Sequence, residues 1–285
     1  MNSSTTNILS GAFKMKKNIC WVLLILGFIA GIYPFANPSP ITTFAVSNIA
    51  VVFCLLHCSM WAGWPTTIKI FLVTWLTGYF TEVLGVNFQF LYGLYHYADL
   101  VSGPKVLGVP PMAMLVYFPL GYACFIMGRA VVGGLSAKVA GLRLIGVAIF
   151  AGLAMTTHDF SNDPFMSTVK GIWVWPNGGA YFGVPLQNFI GWFVLTSFFS
   201  FIVGLIANGE KAMQSIAIPR GPHFFLPAIL LYLVFEIPQM LRPILLEPTA
   251  LNLAGSGIAM FATTIPVIAA LLALYGQHSQ QERHQ

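Results

Sequence analysis

The sequence predicts an all-α, polytopic membrane helix bundle of about eight transmembrane helices, and three observations predict it. The 285 residues are 57% hydrophobic and only 7% charged, with a mean hydropathy of +0.80. A soluble domain so poor in charge has too little polar surface to stay in solution. The apolar residues gather into runs of membrane-spanning length, and the basic residues fall between those runs in a pattern that follows topology.

Taken in order, residues 1–18 are polar and then basic (Lys14, Lys16, Lys17), and are expected to form a disordered N-terminus. Residues 19–276 are expected to form a single transmembrane domain and 277–285 a polar C-terminal tail. The run 19–33 is short for a span, and a signal peptide is its rival reading. Pro34-Phe35-Ala36-Asn37 is a poor small-x-small cleavage site, so the run reads as a retained first helix. Further spans are expected at 41–60, 68–84, 111–129, 139–159, 186–207, 223–243 and 252–275, the seventh interrupted by Pro227, Glu236, Pro238 and Arg242. With the N-terminus inside, Lys14, Lys16, Lys17, Lys69, Arg129, Lys138, Arg143, Lys211, Arg220 and Arg283 are cytoplasmic. Only Lys105, Lys170 and Arg242 are then outside. The bias predicts an N-in, C-in, multi-pass protein of the cell membrane. The net charge of +5 follows from this placement and does not point to nucleic acid. Cys20, Cys54, Cys58 and Cys124 all lie in apolar runs. Cys54 and Cys58 share a helical face and read as small buried residues.

Two connections are long, 85–110 and 160–185, and both fall on the outer side. They are rich in aromatics and glycine instead of charge, a composition that favours the interface or the ends of helices. An aromatic belt accounts for part of this, but long loops in compact domains are more often functional. They also echo one another. Glu82, then an aromatic loop, then Gly108-Val109-Pro110 opens the fourth span. Asp159, then an aromatic loop, then Gly183-Val184-Pro185 opens the sixth. Proline suits a first helical turn. The echo predicts two parallel helical hairpins with Glu82 and Asp159 at one depth, near the outer surface.

Chemistry concentrates in Thr156-Thr157-His158-Asp159-Phe160-Ser161-Asn162-Asp163-Pro164. Ionisable groups at membrane depth cost several kcal/mol unless paired or hydrated, so they mark functional sites by default. Pro164 disfavours the helical conformation at Asp163, so the helix is expected to end at His158–Asp159 with Asp163 in the loop beyond. His158 reads as a ligand, a proton relay or a hydrogen-bonded helix-end histidine. Asp159 and Asp163 have a rival reading as a cap or turn pair, which suits Asp163 better. Glu82 reads as a functional carboxylate or as a cap paired with Lys105. Asn188, a turn inside the sixth span, holds a carboxylate or a water, or only bridges helices. Glu236 is expected to pair with Arg242. His96 and Asp99 read as exposed loop residues, and His57 is expected to stand alone in the cytoplasmic half. A retinal pigment needs a lysine in a late span, and the last three have none. A membrane di-iron enzyme needs more than the six histidines present, two of which lie in the tail. Asp159-x-x-x-Asp163 has the spacing of one acidic motif of the intramembrane aromatic prenyltransferases, but the second motif and a phosphate-binding basic cluster are missing.

The chain resembles the integral-membrane carotenoid biosynthesis family that includes bisanhydrobacterioruberin hydratase and related carotenoid hydratases. The matching pieces are Thr81-Glu82-Val83-Leu84-Gly85-Val86, Tyr92-Gly93-Leu94-Tyr95-His96-Tyr97, Leu107-Gly108-Val109-Pro110, Asp159-Phe160-Ser161-Asn162-Asp163-Pro164, and Gly179 through Trp192. Their order and spacing match over residues 70–207. Asn87-Phe88-Gln89 and His158 depart from the family's pattern, the first where a small turn is expected, the second where the family is apolar or aromatic.

The resemblance implies hydration of a terminal isoprenoid double bond of an acyclic carotenoid. Protonation of the less substituted carbon leaves a tertiary carbocation, which water captures. A desolvated carboxyl group suits the acid, and aromatic faces suit the cation. It further implies Asp159 or Glu82 as the proton donor, with the other carboxylate, Asp163 and Asn188 positioning the water, and His158 beside them. Tyr92, Tyr95, Tyr97, Trp173, Trp175, Tyr181 and Trp192 would line the polyene end. No metal or redox cofactor is implied. The expected partners are the apolar polyene entering from the bilayer, membrane lipid, and other carotenoid enzymes. The alternatives are an isoprenoid lyase or isomerase, a metal-assisted prenyltransferase, or, outside enzymes, a small-molecule transporter or lipid-binding scaffold.

Overall fold

The computed structural model describes residues 3–36, 40–99, 103–135, 137–209 and 222–283. The helices are α1 (Ser3–Ala36), α2 (Pro40–Ala62), α3 (Trp64–Phe88), α4 (Tyr117–Val131), α5 (Leu142–Pro164), α6 (Leu186–Ala207), α7 (Pro222–Met240), α8 (Arg242–Leu245), α9 (Ala250–Phe261) and α10 (Thr264–Arg283). Among the described residues, eight helical stretches are long and apolar enough to cross a membrane. The protein is thus an all-α, multi-pass helix bundle. Lys211 and Arg220, two of the cations used to orient the chain, lie outside the described residues.

The breaks have local causes. Gly63, at φ 76°, ends α2, and Pro65 opens α3. Gly141, at φ 58°, precedes α5. Thr249 caps α9, its hydroxyl accepting from the Asn252 N–H at 3.2 Å. Four boundaries differ from expectation. Residues 1–18, expected to be disordered, are helical from Ser3, because the basic stretch continues the α1 span without a breaker. The fourth span begins with a 3-10 turn at Ala113–Val116 before α4. The eighth is broken at Ala262 and Thr263 between α9 and α10. The fourth difference, at the end of α5, bears on the site.

α4 is the central element, with 83% of its span buried against 22% for α1. α5 packs on α6, α4 and α9, and α3 packs on α6. The long loops lie together over the ends of these helices. One contributes β1 (His96–Tyr97), the other β2 (Trp173–Val174), and the two pair antiparallel with Tyr97 opposite Trp173. Each loop closes in the same tight turn. Val106 bridges Val109, and Tyr181 bridges Val184. The central residues Leu107 and Gly108 have φ of 53° and 82°, and Phe182 and Gly183 have 48° and 86°. Positive φ at both central positions is the hairpin turn that glycine favours. Tyr79 and Asn87 side chains donate to the Val106 and Leu107 carbonyls, both at 3.0 Å, which ties the first turn to α3. The Thr168 hydroxyl ties the second, donating to the Phe182 carbonyl at 2.5 Å. The sequence echo is therefore a structural one, of two helical hairpins whose loops meet in one small sheet. Cys20, Cys54, Cys58 and Cys124 are buried free thiols.

Candidate active site

The helix α5 does not stop at Asp159. It runs through Pro164 and continues as a π-helical turn, Phe165–Val169. Asp163, expected in a loop, is therefore one turn beyond Asp159 on the same buried face. Proline has no N–H, so the Phe160 carbonyl loses its helical partner. The Tyr181 hydroxyl from the second loop donates to it at 3.1 Å. The Phe165 N–H bonds Asn162 instead of Ser161. The Ser161 carbonyl accepts from Arg242 Nη1 at 2.7 Å. Side chains from elsewhere thus satisfy both freed carbonyls, and the helix survives the proline. Sequence reasoning weighs Pro164 only by its local cost; tertiary partners offset it.

Two clusters result. In the first, Asn188 Nδ2 donates to Asp159 Oδ2 at 2.9 Å and to Asp163 Oδ2 at 2.5 Å. Both carboxyls thus meet the one Asn188 amide, and two buried carboxyls packed this closely favour sharing a single proton. All three residues are at most 2% exposed.

In the second, Glu82 accepts from three phenols. Tyr117 donates to Oε1 at 2.5 Å, and Tyr97 donates to Oε2 at 2.8 Å. Tyr95 also donates to Oε2. Burial first, and then the Glu82 carboxylate, push the Tyr95 and Tyr97 hydroxyls well above the usual phenol range. They stay protonated and remain donors. Glu82 is close enough to both aspartates to act on them electrostatically. Lys105, the rival partner, reaches the Tyr97 carbonyl and Asp99 instead.

Aromatic rings surround the second cluster. Tyr117 stacks on Trp192, with centroids 4.9 Å apart and planes 14° apart. Gly78 makes room for the Tyr117 ring, since a Cβ there would lie 2.6 Å from it. Trp192 also meets Tyr92 at 6.1 Å, Trp175 meets Tyr95 at 5.8 Å, and Trp173 meets Tyr97 at 6.2 Å. Trp175 is fixed by donating to the Tyr92 carbonyl at 2.9 Å.

The structure brings Glu82, Tyr92, Tyr95, Tyr97, Trp173, Trp175 and Trp192 together, and sets Asp159, Asp163 and Asn188 beside them. Two predicted residues stand elsewhere. Tyr181 packs against Phe160 and Phe189 and supports α5. His158 points to α7, where Nδ1 lies 2.5 Å from Glu236 Oε1. This also corrects the expected Glu236–Arg242 pair. His57 is not alone: its ring nitrogens lie 2.6 Å from the Tyr122 hydroxyl and 2.8 Å from the Phe224 carbonyl. Tyr117 was missed. The echo contained the signal, because Tyr117 and Trp192 each stand seven residues after the proline of their Gly-Val-Pro, and these equivalent rings stack on each other.

Buried acids and a surrounding aromatic cluster at one end of a multi-pass helix bundle define the class as a polytopic membrane protein with a polar site inside its bundle. The chain matches the carotenoid biosynthesis protein family over residues 41–274, well beyond 70–207, and belongs to that family. It has a role in carotenoid biosynthesis, that of an enzyme of the pathway. No curated protein and no solved structure matches it.

Proposed function

We propose that the protein hydrates a terminal isoprenoid double bond of an acyclic carotenoid without a cofactor. The observation that supports this most is the pairing of an Asp159–Asp163 couple bridged by Asn188 with a Glu82 carboxylate held by three phenols. The couple supplies a proton to the less substituted carbon, and the π electrons form the new C–H bond. The resulting tertiary cation lies beside the Glu82 carboxylate, among the phenol and indole rings that surround it, which stabilise positive charge. Water forms the C–O bond, and its surplus proton returns to the couple. The net change is addition of one water. No electrons are exchanged, so the chemistry calls for no redox cofactor, and a carboxylic acid can supply the proton without a metal. Asn188 positions both carboxyls. The polyene enters sideways from the lipid, and the positive-inside bias puts the site at the outer face of the cell membrane. Other carotenoid enzymes hand substrate to it within the membrane.

The test is pigment analysis. The chain is expressed in a host that makes an acyclic carotenoid, with Asp159→Asn beside it. Extracts are examined by mass spectrometry for a gain of one water, with and without EDTA. The expected product forms with the wild type, withstands EDTA, and is absent with the variant. Its absence from wild-type membranes that contain the protein, across several acyclic carotenoids, rejects the reading.

A further inference from the structure

The turns of α5 that carry Asp159 and Asp163 present a second polar face, toward α7 and α8. It forms three rungs. His158 pairs with Glu236 at 2.5 Å, Gln239 Nε2 donates to Asn162 Oδ1 at 3.1 Å, and Arg242 Nη1 donates to the Ser161 carbonyl at 2.7 Å. Glu236, Gln239 and Arg242 recur every third residue, so the rungs stack along one side of α7–α8. Their exposures are 0%, 9% and 0%. Each keeps a buried atom with no hydrogen-bond partner among the described residues: Glu236 Oε2, Gln239 Oε1, and Arg242 Nε and Nη2, the guanidinium lying 3.9 Å from the centre of the Phe165 ring. Asn252 Oδ1, from the buried face of α9, is a fifth. Burial lowers the Arg242 guanidinium to about 9, with Glu236 acting the other way, so it is charged at neutral pH.

A buried polar atom left without a hydrogen bond is costly. Here three acceptors and two donors lie along one seam, a combination that internal waters satisfy at roughly three hydrogen bonds each. The seam reaches the surface just past Arg242, where Ile244, Leu245 and residues 247–250 are exposed. Its rung residues His158 and Asn162 directly precede Asp159 and Asp163 in α5.

We propose that this seam is a hydrated passage that delivers the water consumed at the acid couple. The proposal rests on the hydratase reading. Its ligand is water, held by Glu236, Gln239, Arg242 and Asn252. A cation formed without water at hand returns a proton to the couple and regenerates an alkene. In D2O that return leaves deuterium on the recovered carotenoid. Hydration and deuterium return thus report the two fates of one cation.

The experiment has two readouts on the full chain in lipid nanodiscs. Radiolytic hydroxyl-radical labelling forms radicals from bound water in place. Phe165 and Phe235, beside the seam, are expected to label several-fold faster than Phe118 and Phe199, which are 0% exposed in the bundle core. Equal rates refute a hydrated seam. In D2O, Gln239→Met and Asn252→Leu remove polar atoms from two separate elements. Each is expected to raise deuterium return relative to hydration several-fold. Unchanged partition in both, with Phe118 and Phe199 still protected, refutes delivery through the seam. If a variant unfolds, those two control phenylalanines label faster, and the wild-type ratio then decides. A wild type that neither hydrates nor exchanges deuterium sinks the hydratase reading and the delivery role with it; seam labelling remains a separate result.

Discussion

Replacing Tyr117 by Phe removes one oxygen and leaves the ring against Gly78 and Trp192 undisturbed. Glu82 Oε1 then loses the one phenol that donates to it, while Oε2 keeps Tyr95 and Tyr97. A hydrogen bond to a charged group contributes about 1.5–3 kcal/mol, and a buried oxygen left without it bears the full penalty. If Glu82 stabilises the cation only when held in place, that energy appears in the barrier as a fall of roughly 10- to 100-fold in rate. Tyr95→Phe and Tyr97→Phe each leave a second donor on Oε2. Their cost should be nearer ~1 kcal/mol, a factor of roughly five. The expected order is therefore Tyr117→Phe well below the other two. The assay is initial rate of hydrated carotenoid in isolated membranes, normalised to protein amount, with thermal melting of each purified variant. Tyr117→Phe at or above the rate of Tyr95→Phe and Tyr97→Phe would falsify the donor-count argument.

Other expectations follow from the same geometry. Asp159→Asn should abolish product while the protein stays in the membrane, because no proton remains to share with Asp163; residual turnover near wild type would assign the acid elsewhere. His158→Phe leaves Glu236 buried and unpaired, which should destabilise the fold by about 3–5 kcal/mol, and adding Glu236→Leu should recover most of it; melting temperatures of the single and double variants decide this. Gly183→Ala introduces a Cβ at φ 86° and 2.7 Å from Thr168 Oγ1, and should cost about 1–2 kcal/mol, read as a lower melting temperature. Tyr181→Phe leaves the Phe160 carbonyl unmatched beside Pro164, so amide exchange in residues 160–169 should quicken by an amount matching about 1 kcal/mol, with little change in α4.

How much of this was legible from residues alone varies from one element to the next. Each span was visible because burial in lipid demands a continuous apolar run, and hydropathy depends only on composition. The two Gly-Val-Pro stretches were visible as a repeated motif, but not their positive-φ turns, nor that Pro110 precedes the 3-10 turn and Pro185 caps α6 where a first-turn proline was expected. Glu82, Asp159, Asp163 and Asn188 stood out because polar groups are costly at that depth. The fate of Asp163 was not visible. Pro164 argued locally for a helix end, and the residues that compensate, Tyr181 and Arg242, lie 17 and 78 positions further along the chain. Nor could the direction of His158 be read, since adjacent helical residues point about 100° apart and only the neighbours settle which faces the acids.

By itself, then, the sequence determined the membrane class, the spans, the repeated Gly-Val-Pro motif and the family, all properties of composition or of short motifs. Tertiary structure decided which acids meet at Asn188, that three phenols converge on Glu82, that Tyr117 belongs with them, and that His158 belongs with Glu236. The physical reason is range. Hydrophobicity and backbone preference act within a few residues, whereas hydrogen bonds between buried side chains depend on which helix faces meet.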